Sequence, residues 1–165
     1  LNIFNNHCDR VKMANLAQTI NVLQAVILTD EEKMLLTPTY HVMKMYNVHY
    51  DALMLPININ TEEYTFGAEK LPAISASASK NNDGVVHISL VNIDAKKANT
   101  VKIEMRGMPY GTIEGEVLTS AKIGDHNTFD EPGKVKPSTF KQFKRSGNQL
   151  EVELPPFSVV VLSIK

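Results

Sequence analysis

Tryptophan is absent from these 165 residues, and cysteine occurs once, at Cys8. A single thiol excludes an internal disulfide framework and any zinc cage built on thiolates. An excess of one charge is missing too: 17 basic residues stand against 18 acidic ones, a formal net charge of -1. Phosphate recognition demands a basic face, so no nucleic acid is expected as a partner. The longest apolar runs, at 22–28 and 159–162, are strand-sized. A membrane helix needs about 18 such residues, so no membrane partner is expected either. The chain opens Leu-Asn-Ile-Phe with no initiating Met, basic run or apolar signal core. A missing N-terminus is therefore expected, and the localisation stays open.

With 43% hydrophobic and 21% charged residues, the chain can bury a core. Its two parts carry different periodicities. Phe4, Cys8, Val11, Ala14 and Gln18 recur at steps of three and four, which predicts a helix free of Gly and Pro. Residues 20–28 (INVLQAVIL) are short, β-branched and almost continuously apolar, a pattern suited to a strand covered on both faces. A polar loop over 30–33 follows. Thr37-Pro38 then signals a helix start, continued by Val42, Met45, Tyr46 and His49 at helical steps. Helix–strand–helix is one slice of a parallel α/β sheet, and one strand leaves its backbone edges unpaired. This part calls for neighbours.

Beyond Pro56 the pattern is that of β structure. Residues 73–80 (AISASASK) alternate small apolar residues with Ser, predicting a strand with one solvated face. Asn82-Asp83-Gly84 predicts a hairpin returning through 85–92. Further strands are expected at 101–105, 116–119, 149–154 and 158–164, with connections at 94–99, 108–111 and 124–147. Short strands with turns between them point to an antiparallel sandwich. Leu-Pro-Pro-Phe breaks the pairing between the last two, because proline donates no ladder bond.

Complete chemical signatures are scarce. Among the five histidines, His41 and His49 lie eight apart on the second helix, about two turns, too far to share a metal without another ligand. His87 falls inside an alternating strand as a half-exposed ring. There is no H-E-x-x-H, Cys-x-x-Cys, phosphate loop or nucleophile elbow. Asp30, Glu31 and Glu32 follow a strand end, where barrel enzymes place their chemistry, or form a solvated loop. Glu114/Glu116 and Glu151/Glu153 each share a strand face, and Asp125-His126-Asn127 lies in a loop. Asn15, Gln18 and Asn21 gather at the helix–strand junction, where amides either cap backbone groups or bind sugar hydroxyls.

Residues 9–29 (DRVKMANLAQTINVLQAVILT) resemble the closing section of the α-L-arabinofuranosidases of glycoside hydrolase family 51. Residues 36–46 (LTPTYHVMKMY) are similar to that family's final barrel helix, and 125–137 (DHNTFDEPGKVKP) to its His-Asn-Thr-Phe loop. Residues 154–162 (LPPFSVVVL) are similar to its last strands. The resemblance implies a mainly β fold: an antiparallel, jelly-roll-like sandwich over 56–165, preceded by a helix–strand–helix remnant of a (β/α)8 barrel over 1–55. It implies a retaining exo-hydrolase removing terminal arabinofuranosyl groups from arabinan and arabinoxylan, without metal or organic cofactor, in a parent that assembles as a homo-oligomer. Both catalytic glutamates are then expected upstream of Leu1. Gln18, within NLAQTINV, is similar to the family glutamine lining the arabinose subsite.

Two other readings stand beside the enzyme fragment. In one, the sandwich is a stand-alone carbohydrate-binding module, for which Phe129, Phe140 and Phe143 are the candidate stacking aromatics. In the other it is structural, packing against the barrel to stabilise it or to mediate assembly.

Overall fold

The structure is a computed structural model that describes residues 1–17, 19–107, 111–147 and 149–165. In chain order, helix α1 (Asn2–Asn6) precedes a hairpin of β1 (Ile27–Asp30) and β2 (Lys33–Leu36). Helix α2 (Pro38–Met45) runs into a 3-10 turn (Tyr46–His49), followed by β3 (Leu53–Leu55). A second hairpin, β4 (Glu63–Phe66) and β5 (Glu69–Pro72), leads to β6 (Ile74–Lys80) and β7 (Val86–Asn92). The chain closes with β8 (Asn99–Glu104), β9 (Ile113–Leu118), β10 (Ser138–Thr139), β11 (Phe143–Ser146), β12 (Gln149–Leu154) and β13 (Ser158–Ile164).

Among the described residues the main sheet has six strands in the order β10-β9-β13-β7-β6-β3, all antiparallel. A three-stranded sheet, β11-β12-β8, faces it. Alternation fixes what lies between them. Ile74, Ala76 and Ala78 of β6, Ile88 and Leu90 of β7, and Val160, Leu162 and Ile164 of β13 form one core with Leu150, Val152 and Leu154 of β12. This is the expected sandwich. Leu154-Pro155-Pro156-Phe157 acts as anticipated: it ends β12 in the small sheet, and β13 begins in the large one. The expected connection at 108–111 lies largely outside the described residues.

Before β3 the elements are shorter than the periodicity predicts. The helix expected over 4–18 is regular only at Asn2–Asn6. A helix of that length is marginal without an apolar surface to pack on, and Phe4, on the predicted stripe, is exposed. The strand expected over 20–28 starts at Ile27 and pairs antiparallel with β2, not in a parallel sheet. Residues 21–26 turn instead, with Asn21 and Gln24 at positive φ. The polar loop narrows to the tight turn of this hairpin, with Glu31 also at positive φ. The second helix forms as expected, with Pro38 in its first turn.

Candidate functional site

The outer face of the main sheet carries a buried polar layer. Ser75, Ser77 and Ser79 alternate with the core residues of β6, and β7 places Ser89 opposite Ser77 and His87 opposite Ser79. The sequence predicts that this face is solvated, yet Ser77, Ser79, Ser89 and His87 are all buried. Helix α1 and the 3-10 turn lie over them. Asn2, Asn5 and Asn6 recur at helical spacing and form the face of α1 turned to the sheet. Asn2 Nδ2 donates to Ser75 Oγ at 3.2 Å, Asn5 Nδ2 to Ser77 Oγ at 3.0 Å, and Asn6 Nδ2 to the Ala76 carbonyl at 2.9 Å. The Ser77 hydroxyl donates back to Asn2 Oδ1 at 2.9 Å. Ile3 and Phe4 consequently point outward, Ile3 with 68% of its surface exposed.

His49 completes this layer. Its Nδ1 lies 2.7 Å from Ser79 Oγ and its Nε2 2.6 Å from Ser89 Oγ. A neutral ring meets both hydroxyls, donating from one nitrogen and accepting at the other. Burial pushes its pKa down to about 4, and the nearby His87 acts in the same direction. Burial also lowers His87, whose Nδ1 lies 3.0 Å from Ser163 Oγ; the half-exposed ring expected there is a buried one. His41 is lowered by burial and then by Lys44, against the opposite pull of Glu116. These rings serve structure. Among the described residues no group of three or more His, Cys, Asp or Glu side chains is placed to hold a metal ion.

Gln18, the candidate sugar contact, lies outside the described residues, but its neighbours are placed. Asn21 acts as a cap: its Nδ2 donates to Thr29 Oγ1 at 2.8 Å and its Oδ1 accepts from the Thr29 N–H at 2.7 Å. Asn15 is exposed. The carbonyl of Thr19, next in sequence to Gln18, accepts from the N–H groups of Val26 and Ile27, each at 3.0 Å. Thr37 does not cap α2 as predicted. Its hydroxyl donates to the carbonyls of Ala25 and Val26, at 2.9 and 3.0 Å.

The carboxylates remain scattered. Asp30, Glu31 and Glu32 sit at the exposed tip of the β1–β2 hairpin, and Glu114, Glu116 and Glu153 are exposed on their strands. Glu151 pairs with Lys144 at 3.0 Å. Asp125 is committed to its own loop. It accepts from the Ser120 hydroxyl and the Lys122 N–H and pairs with Lys134 at 3.5 Å. The Ser120 bond is the largest influence holding its pKa below the usual carboxylate range, with the Lys122 N–H and Lys134 assisting. His126 is exposed, whereas Asn127 beside it is 95% buried and bonds across to β2. The run reads as loop polarity in the sequence, and the one feature separating Asn127 from its neighbours is burial.

Phe140 is 2% exposed and belongs to the sandwich core, and the partly buried Phe143 packs against it at a ring separation of 6.1 Å. Both pin the loop to the sandwich. They are not free to form, with Phe129, the flat aromatic platform that stacks on sugar rings.

Comparison with known proteins places these observations. The model of the α-L-arabinofuranosidase C-terminal domain family matches residues 1–158. An intracellular exo-α-L-arabinofuranosidase of Bacteroides ovatus is 45% identical over the whole chain, which covers 32% of that protein. A family 51 arabinofuranosidase structure from Xanthomonas axonopodis pv. citri superposes with a TM-score of 0.96 at 44% identity. That match covers 99% of this chain and 33% of the other. The arabinose complex of a Thermotoga maritima α-L-arabinofuranosidase gives a TM-score of 0.81 at 25% identity, covering 95% and 34%. The chain spans about a third of the length of the relatives it matches.

Proposed function

Because the chain belongs to the α-L-arabinofuranosidase C-terminal domain family, we propose that it is the closing third of a retaining exo-α-L-arabinofuranosidase. The carrying observation is the family match over 1–158, together with the one-third coverage of full-length relatives. Residues 1–55 are assigned to the end of the catalytic barrel and 56–165 to the sandwich. The outward-facing apolar side chains of the first part support this division. Ile3, Met13, Ile20, Leu23 and Met34 are all more than half exposed, which suits a segment that packs on something else.

Retention at the anomeric carbon needs two carboxyl groups about 5–5.5 Å apart, one attacking and one exchanging the proton with the leaving oxygen. We assign both to barrel glutamates outside this chain, and Gln18 to the arabinose subsite. The sandwich then has a structural role, holding the barrel's last segment through the Ser/Asn/His layer. The substrates of the whole protein are arabinan- and arabinoxylan-type glycans bearing terminal α-L-arabinofuranosyl groups, and the parent works as a homo-oligomer.

The test is release of nitrophenol from 4-nitrophenyl α-L-arabinofuranoside. The longer protein carrying this chain is expected to turn it over, and the 165-residue chain alone is not. An inactive longer protein would overturn the assignment. Turnover by the isolated chain would overturn the placement of the glutamates.

A further inference from the structure

Asp83, in the turn between β6 and β7, is the only aspartate or asparagine of the chain that is followed by glycine. Such a step carries its own chemistry. The glycine nitrogen can attack the carboxyl carbon before it, because no side chain stands in the way. A bond forms from Gly84 N to Asp83 Cγ, and one carboxyl oxygen leaves as water with the amide proton. A second water then opens the five-membered imide. Cleavage at Cγ restores aspartate, whereas cleavage at the Asp83 backbone carbonyl leaves the chain running through Cγ, as isoaspartate. No electrons are exchanged, and water is the only co-reactant.

The reaction makes two demands. Water must reach the carboxyl group, and Gly84 N must give up both its hydrogen and its hydrogen bond. The turn meets the first and opposes the second. Asp83 is exposed, and Gly84, at φ 84°, is the left-handed residue of a three-residue hairpin loop. Yet the Gly84 N–H donates to the Asn81 carbonyl at 3.0 Å. Asn81 fastens the rest of the turn as well. Its Oδ1 accepts from the Asp83 N–H at 3.1 Å and from the Val85 N–H at 2.9 Å. Its own N–H donates to the Val85 carbonyl at 3.0 Å. One residue therefore holds the attacking nitrogen and the residues on either side of it. The turn has to open before the imide can close.

We propose that Asp83 is a site of isoaspartate formation, and that Asn81 sets its rate by holding the turn shut. The change would fall where pairing is tight. Isoaspartate adds a methylene to the backbone beside the Lys80–Val86 pair, one step from Ser79 and His87. Val86 is buried, and Ser79 bonds His49 in the polar layer. The chemistry is independent of the glycosidase assignment.

The test follows the 165-residue chain at neutral pH, native and unfolded in urea. Isoaspartate is counted by methyl transfer from S-adenosylmethionine with an isoaspartyl methyltransferase and located by peptide mapping. At Asp83 it should form at least about tenfold more slowly in the native chain than in the unfolded one. Asn81→Ala, which removes the Oδ1 acceptor, should speed the native reaction about tenfold and leave the unfolded rate unchanged. Asn81→Asp keeps an oxygen for both N–H groups and should stay within about twofold of the natural chain. Asp83→Glu should abolish the signal, since its ring would need a further member. Equal native and unfolded rates would overturn the proposal, whether or not Asn81→Ala folds well. So would an Asn81→Ala chain that reacts no faster, an Asn81→Asp chain as fast as Asn81→Ala, or isoaspartate that collects first at another residue.

Discussion

Tyr46 and Asn2, 44 positions apart, meet in a buried hydrogen bond in which the phenol donates to Asn2 Oδ1 at 2.7 Å. Burial pushes the phenol's pKa up to about 12, against the opposing effects of its bonds to Ser89 and Asn2, so it stays protonated and able to donate. The bond ties the 3-10 turn to α1, over the serine face of β6. Among the described residues no buried side-chain polar atom lacks a partner. A polar interface this fully satisfied is strict: each lost member strands another.

Removing the phenol hydroxyl in Tyr46→Phe leaves Asn2 Oδ1 still bonded to Ser77. A loss of about 0.5–1.5 kcal/mol is expected, the ordinary net value of one hydrogen bond. Asn2→Ala should cost more, about 1–3 kcal/mol, because it takes one partner each from Tyr46, Ser75 and Ser77. Urea midpoints of the two variants measure the difference, and equal midpoints would contradict the network.

Acid should weaken the same layer. The folded-state pKa of His49 is about 4, below its ordinary value of 6.5, so between those values the unfolded chain binds more protons. Stability is then unaffected by His49 at high pH, falls as pH drops through about 6.5, and levels off below about 4. His87 shifts in the same direction and adds to the fall. Denaturation midpoints taken from pH 8 to pH 4 should show the decline in the native chain, and His49→Gln should flatten it.

Gly115 on β9 has no room for a side chain. An added Cβ would stand 2.8 Å from the Phe140 carbonyl oxygen and 3.1 Å from the Phe140 ring. Nor can the Phe140 backbone retreat freely, since its N–H donates to the Gly115 carbonyl at 2.8 Å. Gly115→Ala should therefore destabilise by about 1–3 kcal/mol, as overpacking does. An unchanged Tm would show that β9 and the segment at Phe140 can part without cost.

Two leucines set the sandwich core apart from the exposed apolar side chains before β3. Leu162 is fully buried, and Leu162→Ala should cost about 2–5 kcal/mol in any context. Leu23 is 83% exposed, so Leu23→Ala should leave the 165-residue chain within about 0.5 kcal/mol of its parent. In the longer protein proposed above the same change is expected to be clearly destabilising, because the proposed barrel would bury Leu23. Thermal melts of both variants in both proteins make the comparison.

Much of the sandwich was readable in advance because strand alternation is local. Residues 73–80, 85–92, 149–154 and 158–164 announce their core faces by period two, and Leu-Pro-Pro-Phe announces the change of sheet. The first part misled for a physical reason. Phe4, Cys8, Val11 and Ala14 form a helical stripe only where something apolar receives it, and here α1 turns its asparagines inward instead. Asn127 was equally hidden, since its bond to Leu36 spans 91 residues and no local pattern separates it from a polar loop.

By itself, then, the sequence determined the strands of the sandwich, through spacing and residue type, while the likeness to family 51 was carried by four quoted segments as a resemblance. The tertiary structure alone decided that the serines of β6 are buried, that His49 bridges Ser79 and Ser89, and that Asn127 holds Leu36. A serine is equally at home in water or under an asparagine. Which of the two it meets depends on how distant segments dock, and that information is not local.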